Sequence, residues 1–470
     1  MAVQGAGLDI VIMAAGKGTR MRSKWPKVLH RLGGKSLLQH VLDTVAALGA
    51  RRIVVVTGHE AEAVQAAVRA PNLVFVLQEP QLGTGHAVQQ ALPLLGSDGT
   101  TLILNGDVPL LGAATARALV GACEASRLAL LTALFDDPRG YGRVVRERAT
   151  GSSASEGGRI QRIVEDKDAS PVDRGIREVY TGAMAAPTAA LRRWVGGLRN
   201  QNAQGEYYLT DVVASAVAEG VPVVSAQPGS LTEVLGINSA GQLAELERRL
   251  QRAHADALLD AGVRLADPSR FEQRGELRCG QDVEIDVGCI FEGSVSIGDD
   301  VRVGAHCVIR NAVIEAGATI RPFTHIDGES IGARVGVHAS VGPYARLRGG
   351  ATLGADVHVG NFVEIKNARL GQAAKANHLA YLGDAEVGER VNFGAGSITA
   401  NYDGANKHRT TIGADAHVGS NCVLVAPVTV GPGATIGAGS TLSRDAPPGQ
   451  LTLARARQTT LAGWKRPTKG

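Results

Sequence analysis

Six aliphatic residues, Ile412, Val418, Leu424, Val430, Ile436 and Leu442, stand six positions apart without interruption. Neither the 3.6-residue period of a helix nor the two-residue period of a flat strand produces this spacing; a stack of short strands in a parallel β-helix does. The same interval joins Ile297, Val303 and Ile309, with glycine directly after the first two, and again Leu353, Val359 and Ile365. A second small or apolar residue recurs four positions later, at Val301, Cys307, Val313, Val357, Val363, Cys422, Val428, Ala434 and Ser440. Each hexad is expected to be a strand of roughly 20 Å whose aliphatic residue points into a prism, with Gly or Asn at the corner. Stability in such a coil comes from each turn covering the last. Its core is thin, which suits a chain with only 4% aromatic residues and 60 glycines. Residues 399–411 (TANYDGANKHRTT) break the period, and a bulge out of a regular solenoid marks a binding loop or a subunit contact.

The first half follows a different pattern. Ile10-Val11-Ile12-Met13, Ile53-Val54-Val55-Val56, residues 73–77 and residues 101–104 are short apolar runs, separated by amphipathic segments such as 37–48 and 61–68. Strands that are apolar on both sides and alternate with helices predict a parallel α/β sheet covered on both faces, with ligands beyond the strands' carboxyl ends. Leu243, Leu246, Leu250, Ala257 and Leu258 then keep helical spacing up to Gly262. At 470 residues more than one core is expected. The predicted division is a first domain over 1–237, a linker helix over 238–262 and the repeat domain over 263–470. The Gly- and Ser-rich stretch 151–158 reads as a flexible hairpin or loop, and the tail 464–470 as mobile.

A net charge of +4 gives no argument for nucleic acid. No stretch reaches the roughly 18 apolar residues of a membrane helix, and residues 8–13 are too short for a secretory signal core. Cys123, Cys279, Cys289, Cys307 and Cys422 lack CxxC spacing and read as reduced thiols. A cytoplasmic protein without a membrane partner is the expectation.

Chemistry enters after the first strand, at Ala14-Ala15-Gly16-Lys17-Gly18-Thr19-Arg20-Met21. Gly16 and Gly18 let backbone N–H groups approach an anion, and Lys17 and Arg20 supply charge for phosphate oxygens. A tight strand–helix turn would explain the glycines alone, but not the basic residues beside them. The run is not G-x-G-x-x-G, because Met21 holds its third position. Gly33-Gly34-Lys35-Ser36 is not a P-loop, since Leu29 stands where the first Gly belongs. Pro26-Lys27, the Gly-bearing loop 81–86 and Asn105-Gly106-Asp107 follow, the last at the carboxyl end of an apolar strand. A carboxylate there suits Mg²⁺ on a nucleotide phosphate; Asp107 as a helix or turn cap is the lesser alternative.

These motifs, with Gly140-Tyr141-Gly142-Arg143 and residues 202–211 (NAQGEYYLTD), resemble the sugar-1-phosphate nucleotidyltransferases. Joined to a hexapeptide helix, they are similar over nearly the whole chain to the bacterial bifunctional family that pairs N-acetylglucosamine-1-phosphate uridyltransferase with glucosamine-1-phosphate acetyltransferase. The resemblance implies an α/β Rossmann-like nucleotidyltransferase domain plus a left-handed parallel β-helix, Mg²⁺, UTP and acetyl-CoA as co-substrates, and a homotrimer. It implies Arg20 and Lys27 on phosphates and Gln78, Gly83 and Thr84 on uracil. Ala14, Ala15, Gly16, Asn105 and Gly106 would line the nucleotide site, Gly142, Glu165 and Tyr180 the sugar, and Asp107 and Asn238 would hold the metal. Asn105 stands where the family often has Tyr, and Tyr180 where it usually has Asn, departures that bear on the sugar rather than on phosphate or metal.

In the second half Arg348 and Lys366 are eighteen apart, one coil of three hexads, so they stack on adjacent turns and suit a sugar phosphate; solvated charges on a prism face are the plainer reading. His378 lies at a similar level, and a neutral imidazole is the natural base for an amine attacking a thioester. The resemblance gives His378 that role, places Tyr381 and Asn392 on the amino sugar, and lines the acetyl-CoA site with Ala395, Asn401, Tyr402, Ser420, Ala438 and Arg455. A zinc site on His338, His358 and His378 is the rival, but their interval of twenty makes them drift around the coil. Two other readings stand beside the bifunctional one: a nucleotidyltransferase with a structural or regulatory β-helix, as in glucose-1-phosphate adenylyltransferase-like proteins, and a non-catalytic scaffold. The scaffold would leave Lys27, Asp107 and Asn238 without a use.

Overall fold

The computed structural model describes residues 7–147 and 158–469. The chain divides into two compact units, Met1–Arg249 and Leu250–Gly470, with the division inside the helix Ala240–Asp260. Most of the 151–158 stretch lies outside the described residues. Of it only Gly158 is placed, and its carbonyl accepts from Arg146 at 3.0 Å.

The described part of the first unit is built on a nine-stranded sheet. Its strands are β1 (Leu8–Met13), β2 (Arg52–Thr57), β3 (Leu73–Leu77), β4 (Thr100–Asn105), β5 (Leu128–Leu134), β6 (Gly142–Arg146), β7 (Ile160–Val164), β8 (Glu178–Pro187) and β9 (Val223–Ala226). The order along the sheet is β9-β5-β8-β4-β1-β2-β3, with β6 and β7 branching from β8. Alternate residues of each strand feed two cores. Ile10, Ile12, Ile53, Val55, Leu102 and Leu104 pack on one face, and Val11, Val54, Val56 and Ile103 on the other. This is why the sequence shows unbroken apolar runs instead of alternation.

The expected all-parallel sheet needs correction. β1 pairs parallel with β2 and β4, but β8 runs antiparallel between β4 and β5, and β6 and β7 pair antiparallel. Burial on both faces makes a strand apolar whichever way it runs, so composition could not report the reversal.

In the second unit, strands in register climb two ladders of eleven and sixteen among the described residues. All twelve aliphatic residues picked out by the period of six are buried, none more than 3% exposed. Most paired stretches span only two to four residues, so a hexad is not one strand of full length; the remainder turns the corner. Val313 is a second correction, since it is 40% exposed while Ala312 and Ile314 face the core. The register slips between Glu292 and Val295 against the strand Val308–Ile314, and a slip of one residue exchanges the inward and outward faces. The corners also differ from expectation. One of them carries His306, Phe323, Tyr344, Phe362 and Leu379 at positive φ, with ring centroids 5.2, 5.0 and 5.6 Å apart along the stack. Ring contacts between neighbouring coils offset the cost of left-handed backbone. Among the described residues no helix is long and apolar enough to cross a membrane.

Candidate active sites

The carboxyl ends of β1 and β4 open into a cavity of about 1030 Å³. Ala14, Ala15, Gly16 and Lys17 line it after β1, Asn105 and Asp107 at the end of β4, and Gln78, Gly83 and Thr84 on the facing loop. A smaller cavity of about 260 Å³ shares Met13, Thr84, Asn105 and Asp107 and extends to Arg20, Gly142, Glu165, Tyr180 and Asn238. Of the first-half residues to which the resemblance gives a role, Gly106 alone lines neither. Its N–H donates to the Met13 carbonyl at 2.9 Å, closing the turn that carries Asp107. Gly18 has a steric reason to be glycine: at φ 59° a Cβ would lie 2.7 Å from that of Lys27.

Lys27 joins the loops. Its ammonium pairs with the Asp107 carboxylate and donates to Asn238 Oδ1 at 3.1 Å, and Ile237 N–H donates to the Asp107 carbonyl at 3.0 Å. A carboxylate and an amide oxygen, distant in sequence, therefore converge on one cation. That hard-oxygen pair fits Mg²⁺, which uses one or two protein oxygens and takes its other ligands from phosphates and water. Among the described residues no cluster of three or more His, Cys, Asp or Glu could hold a metal.

In the smaller cavity, Thr210 Oγ1 donates to Glu165 Oε1 at 2.9 Å, and burial raises the Glu165 carboxyl above the usual range. The fully buried Arg143 donates to Asp166 at 2.8 Å and to the Tyr141 carbonyl, tying the two walls together. The Tyr180 hydroxyl is closed off from solvent without a hydrogen-bond partner. Burial, and next the charge of Glu165, push its phenol upward. Asn105 packs against Gly182, two residues further on, where a methyl would fall 2.0 Å from its Nδ2.

Sequence reasoning assigned no role to Tyr141, Tyr208 or Thr210. The signals were Gly140-Tyr141-Gly142-Arg143 for Tyr141 and, for the other two, the run 202–211, which packs on the facing loop: Gly85 N–H donates to Tyr207 O at 2.7 Å and Leu209 N–H to Thr84 Oγ1 at 3.0 Å. Tyr208 donates to Asp168 at 3.1 Å. Gln78 is spent internally, donating to the Gly83 carbonyl at 2.9 Å, so it shapes the loop that would face uracil.

In the β-helix, Asn361 pairs with His378, and continuing the ladder places Ala395, Ser420 and Ala438 above His378 on successive coils. Arg455 donates to the Ala438 carbonyl at 2.9 Å, at the head of this column. His378 is exposed, with Nδ1 2.8 Å from Asn361 Oδ1. With the amide oxygen as acceptor, Nδ1 carries the proton and Nε2 is free to accept one.

Arg348 and Lys366 stack on adjacent turns, as Leu347 pairs with Ile365. Arg348 pairs with Glu364 at 3.2 Å and Glu329 at 3.4 Å, yet its Nε is buried without a partner. The insertion adds Lys407. Its contact with Lys366, and next the charge of Arg348, hold the Lys366 ammonium below the usual lysine range. Three crowded cations suit a dianion. Tyr381 pairs with Ile398 on the same sixteen-stranded ladder, whereas Asn392 lies on the eleven-stranded one, 3.2 Å from His417. Within one chain the expected acceptor residues are thus not all brought together. Asn401 and Tyr402 open the insertion, Tyr402 donating to Gly404 O at 2.6 Å. The histidines of the rival zinc reading do not line up: Ser340, not His338, pairs with His358, and Asn361, not His358, with His378.

The family description MobA-like NTP transferase domain matches residues 10–261, GMPPB C-terminal domain matches 274–381, and bacterial transferase hexapeptide (six repeats) matches 409–444. The bifunctional protein GlmU of Methylibium petroleiphilum is 69% identical over 466 residues, 98% of this chain and 99% of that protein. The chain belongs to the GlmU family. Other GlmU proteins match over a similar span: that of Acidovorax sp. (strain JS42) is 61% identical over 98% of each chain, and that of Azoarcus sp. (strain BH72) 56% over 98% of this chain and all of its own. Since GlmU proteins match end to end, membership covers both units of the chain.

Proposed function

We propose that this GlmU chain performs two successive group transfers: acetylation of glucosamine-1-phosphate from acetyl-CoA in the β-helix, then transfer of UMP from UTP to the resulting N-acetylglucosamine-1-phosphate. The observation that carries the reading is the pair of unrelated clusters: Lys27, Asp107 and Asn238 on one cation in the first unit, and His378 in a column with Ala395, Ser420 and Ala438 in the second.

In the β-helix, His378 Nε2 takes a proton from the sugar amine as its nitrogen bonds to the thioester carbonyl carbon. The C–S bond then breaks and CoA leaves as the thiol. Arg348, Lys366 and Lys407 hold the phosphate, Tyr381 and Asn392 the amino sugar. Ala395, Ser420, Ala438 and Arg455 line the CoA arm, with Asn401 and Tyr402 at the insertion. A β-helix kept only for assembly would have no use for an exposed imidazole oriented by Asn361.

In the first unit, a phosphate oxygen of the sugar attacks the α-phosphorus of UTP and the bond to the departing pyrophosphate breaks. The residues act by position and charge. Arg20, Lys17 and Lys27 meet phosphates, Gln78, Gly83 and Thr84 the base, and Gly142, Glu165 and Tyr180 the sugar. Asp107 and Asn238 would hold Mg²⁺, which when bound neutralises phosphate charge.

Asn392 stands on a different face from the other acceptor residues, and three copies around an axis would bring such faces together, so the working assembly is a homotrimer. The setting is the cytoplasm, where cell-wall precursors are made.

The test is a pair of single variants assayed for both products by mass. Asp107→Ala is expected to lower uridyl transfer by about 10²–10³-fold and leave acetyl transfer intact. His378→Ala is expected to lower acetyl transfer by about 10²–10⁴-fold and leave uridyl transfer and the trimer intact. Uridyl transfer near the wild-type rate in Asp107→Ala, or undiminished CoA release in His378→Ala, would reject the corresponding site.

A further inference from the structure

The insertion that interrupts the hexads leaves the prism and returns to it at one residue, Asp384. This aspartate is 7% exposed and stands in register between Asn367 below and Asn401 above, on neighbouring coils. Asn367 donates its Nδ2 to Asp384 Oδ1, and Asn401 donates its Nδ2 to Asp384 Oδ2. Where the chain comes back, Thr410 N–H donates to the Asp384 carbonyl at 3.1 Å. The departing strand is gripped by the side chain and the returning strand by the main chain.

Chemistry explains the choice of an acid. A carboxylate has acceptors only, so both flanking amides must turn their NH2 groups toward it. That fixes the orientation of Asn401 and leaves its Oδ1 free. The isosteric amide has one acceptor and one donor; it would let Asn401 flip and present the wrong group. The rest of the loop caps itself. Asp403 accepts from Ala405 and Asn406 N–H at 2.9 and 2.7 Å and lies 2.6 Å from His408 Nε2, while His408 N–H donates to Asn401 O at 2.9 Å. Self-capping shapes the loop, but only Asp384 joins its two ends to the coil by side chain and backbone together.

We infer that Asp384 is a positioning residue for acetyl transfer: it touches no substrate, but orients Asn401 and seats the loop carrying Tyr402 and Lys407. The inference rests on the acetyltransferase reading for its kinetic consequence and not for its structural one.

Both are measurable in the full-length protein. Asp384→Asn is expected to raise KM for acetyl-CoA about tenfold, with kcat within about threefold of wild type and uridyl transfer unchanged. In an Asn401→Ala background the same change is expected to add less than about twofold, because the amide it orients is gone. Amide exchange at residues 401–410 is expected to speed by about tenfold or more. Should Asp384→Asn prove poorly folded, Asn367→Ala, which removes the amide holding the Asp384 carboxylate from below, is expected to raise KM for acetyl-CoA about two- to fivefold through the same loop. An unchanged acetyl-CoA KM with unchanged exchange, multiplicative effects in the double variant, or an unchanged KM in Asn367→Ala would overturn the inference. A wild-type protein lacking acetyl transfer would instead reject the parent reading, and loop exchange would then decide the role of Asp384 alone.

Discussion

Tyr180 brings a buried hydroxyl without a partner to the smaller cavity. A buried hydroxyl without a partner costs about 1–3 kcal/mol, a cost that a fold retains where a ligand removes it. In the proposed sugar site, with Glu165 as the charged group facing it and Asn105 beside Gly182, the phenol would donate to the sugar. Tyr180→Phe is therefore expected to raise KM for N-acetylglucosamine-1-phosphate about five- to tenfold, leave KM for UTP within about twofold, and stabilise the unliganded protein. An unchanged sugar KM with higher stability would mean the hydroxyl stays unpaired through turnover. Glu165 adds a pH dependence. Burial raises its folded pKa, so the folded chain binds this proton more tightly than the unfolded one, and ionised Glu165 opposes folding at neutral pH. Only the ionised form is a pure acceptor for sugar hydroxyls. Sugar KM is then expected to climb on acidification at a higher pH than an ordinary glutamate would give, and Glu165→Gln is expected to flatten that limb. A wild-type profile parallel to that of the variant would sink the assignment. Residues such as Asp107 and Lys27 were legible in the sequence because each sits in a short motif, Asp107 just after the strand Thr100–Asn105 and Lys27 directly after Pro26. Thr210, Tyr208 and Lys407 were not, because their roles come from loops that meet only after folding.

At the scale of elements, the period of six was legible because it records directly which side chains face a narrow core. It failed where the repeat is not strictly six. Coil lengths are seventeen at Asn361–His378 and at Asp384–Asn401, and twenty-five across the insertion at Ser397–Cys422. Counting in eighteens therefore cannot align His378 with Ala395, Ser420 and Ala438, although the ladder does. Val313 was misplaced for the same reason. The contrast is measurable: Val359→Ala, in the prism, is expected to cost about 1–3 kcal/mol of β-helix stability, and Val313→Ala less than about 0.5 kcal/mol. Thermal inactivation of acetyl transfer reports both. Equal losses would mean the register slip next to Val313 is wrong. In the first unit, strand existence was readable from apolar runs, but strand direction was not, so the antiparallel β8 emerged only from pairing.

At the scale of the whole molecule, the two proposed centres share no residue: every side chain assigned to uridyl transfer precedes residue 239, and every one assigned to acetyl transfer follows residue 347. The two chemistries also make opposite demands. A phosphate cradle needs glycine loops and a metal beyond a sheet edge, whereas thioester aminolysis needs an imidazole beside a long groove for a CoA arm. Separate folds meet those demands without compromise, and the intermediate, a small sugar phosphate, can pass between them through solvent. Mixing Asp107→Ala with His378→Ala protein is accordingly expected to restore conversion of glucosamine-1-phosphate to the UDP-sugar, although neither variant achieves it alone. The restored rate should rise with either variant's concentration and show a lag while N-acetylglucosamine-1-phosphate accumulates. A mixture that stays inactive, while each variant retains its own remaining transfer, would mean that the intermediate must be handed over within one assembly and that the two halves are not chemically independent.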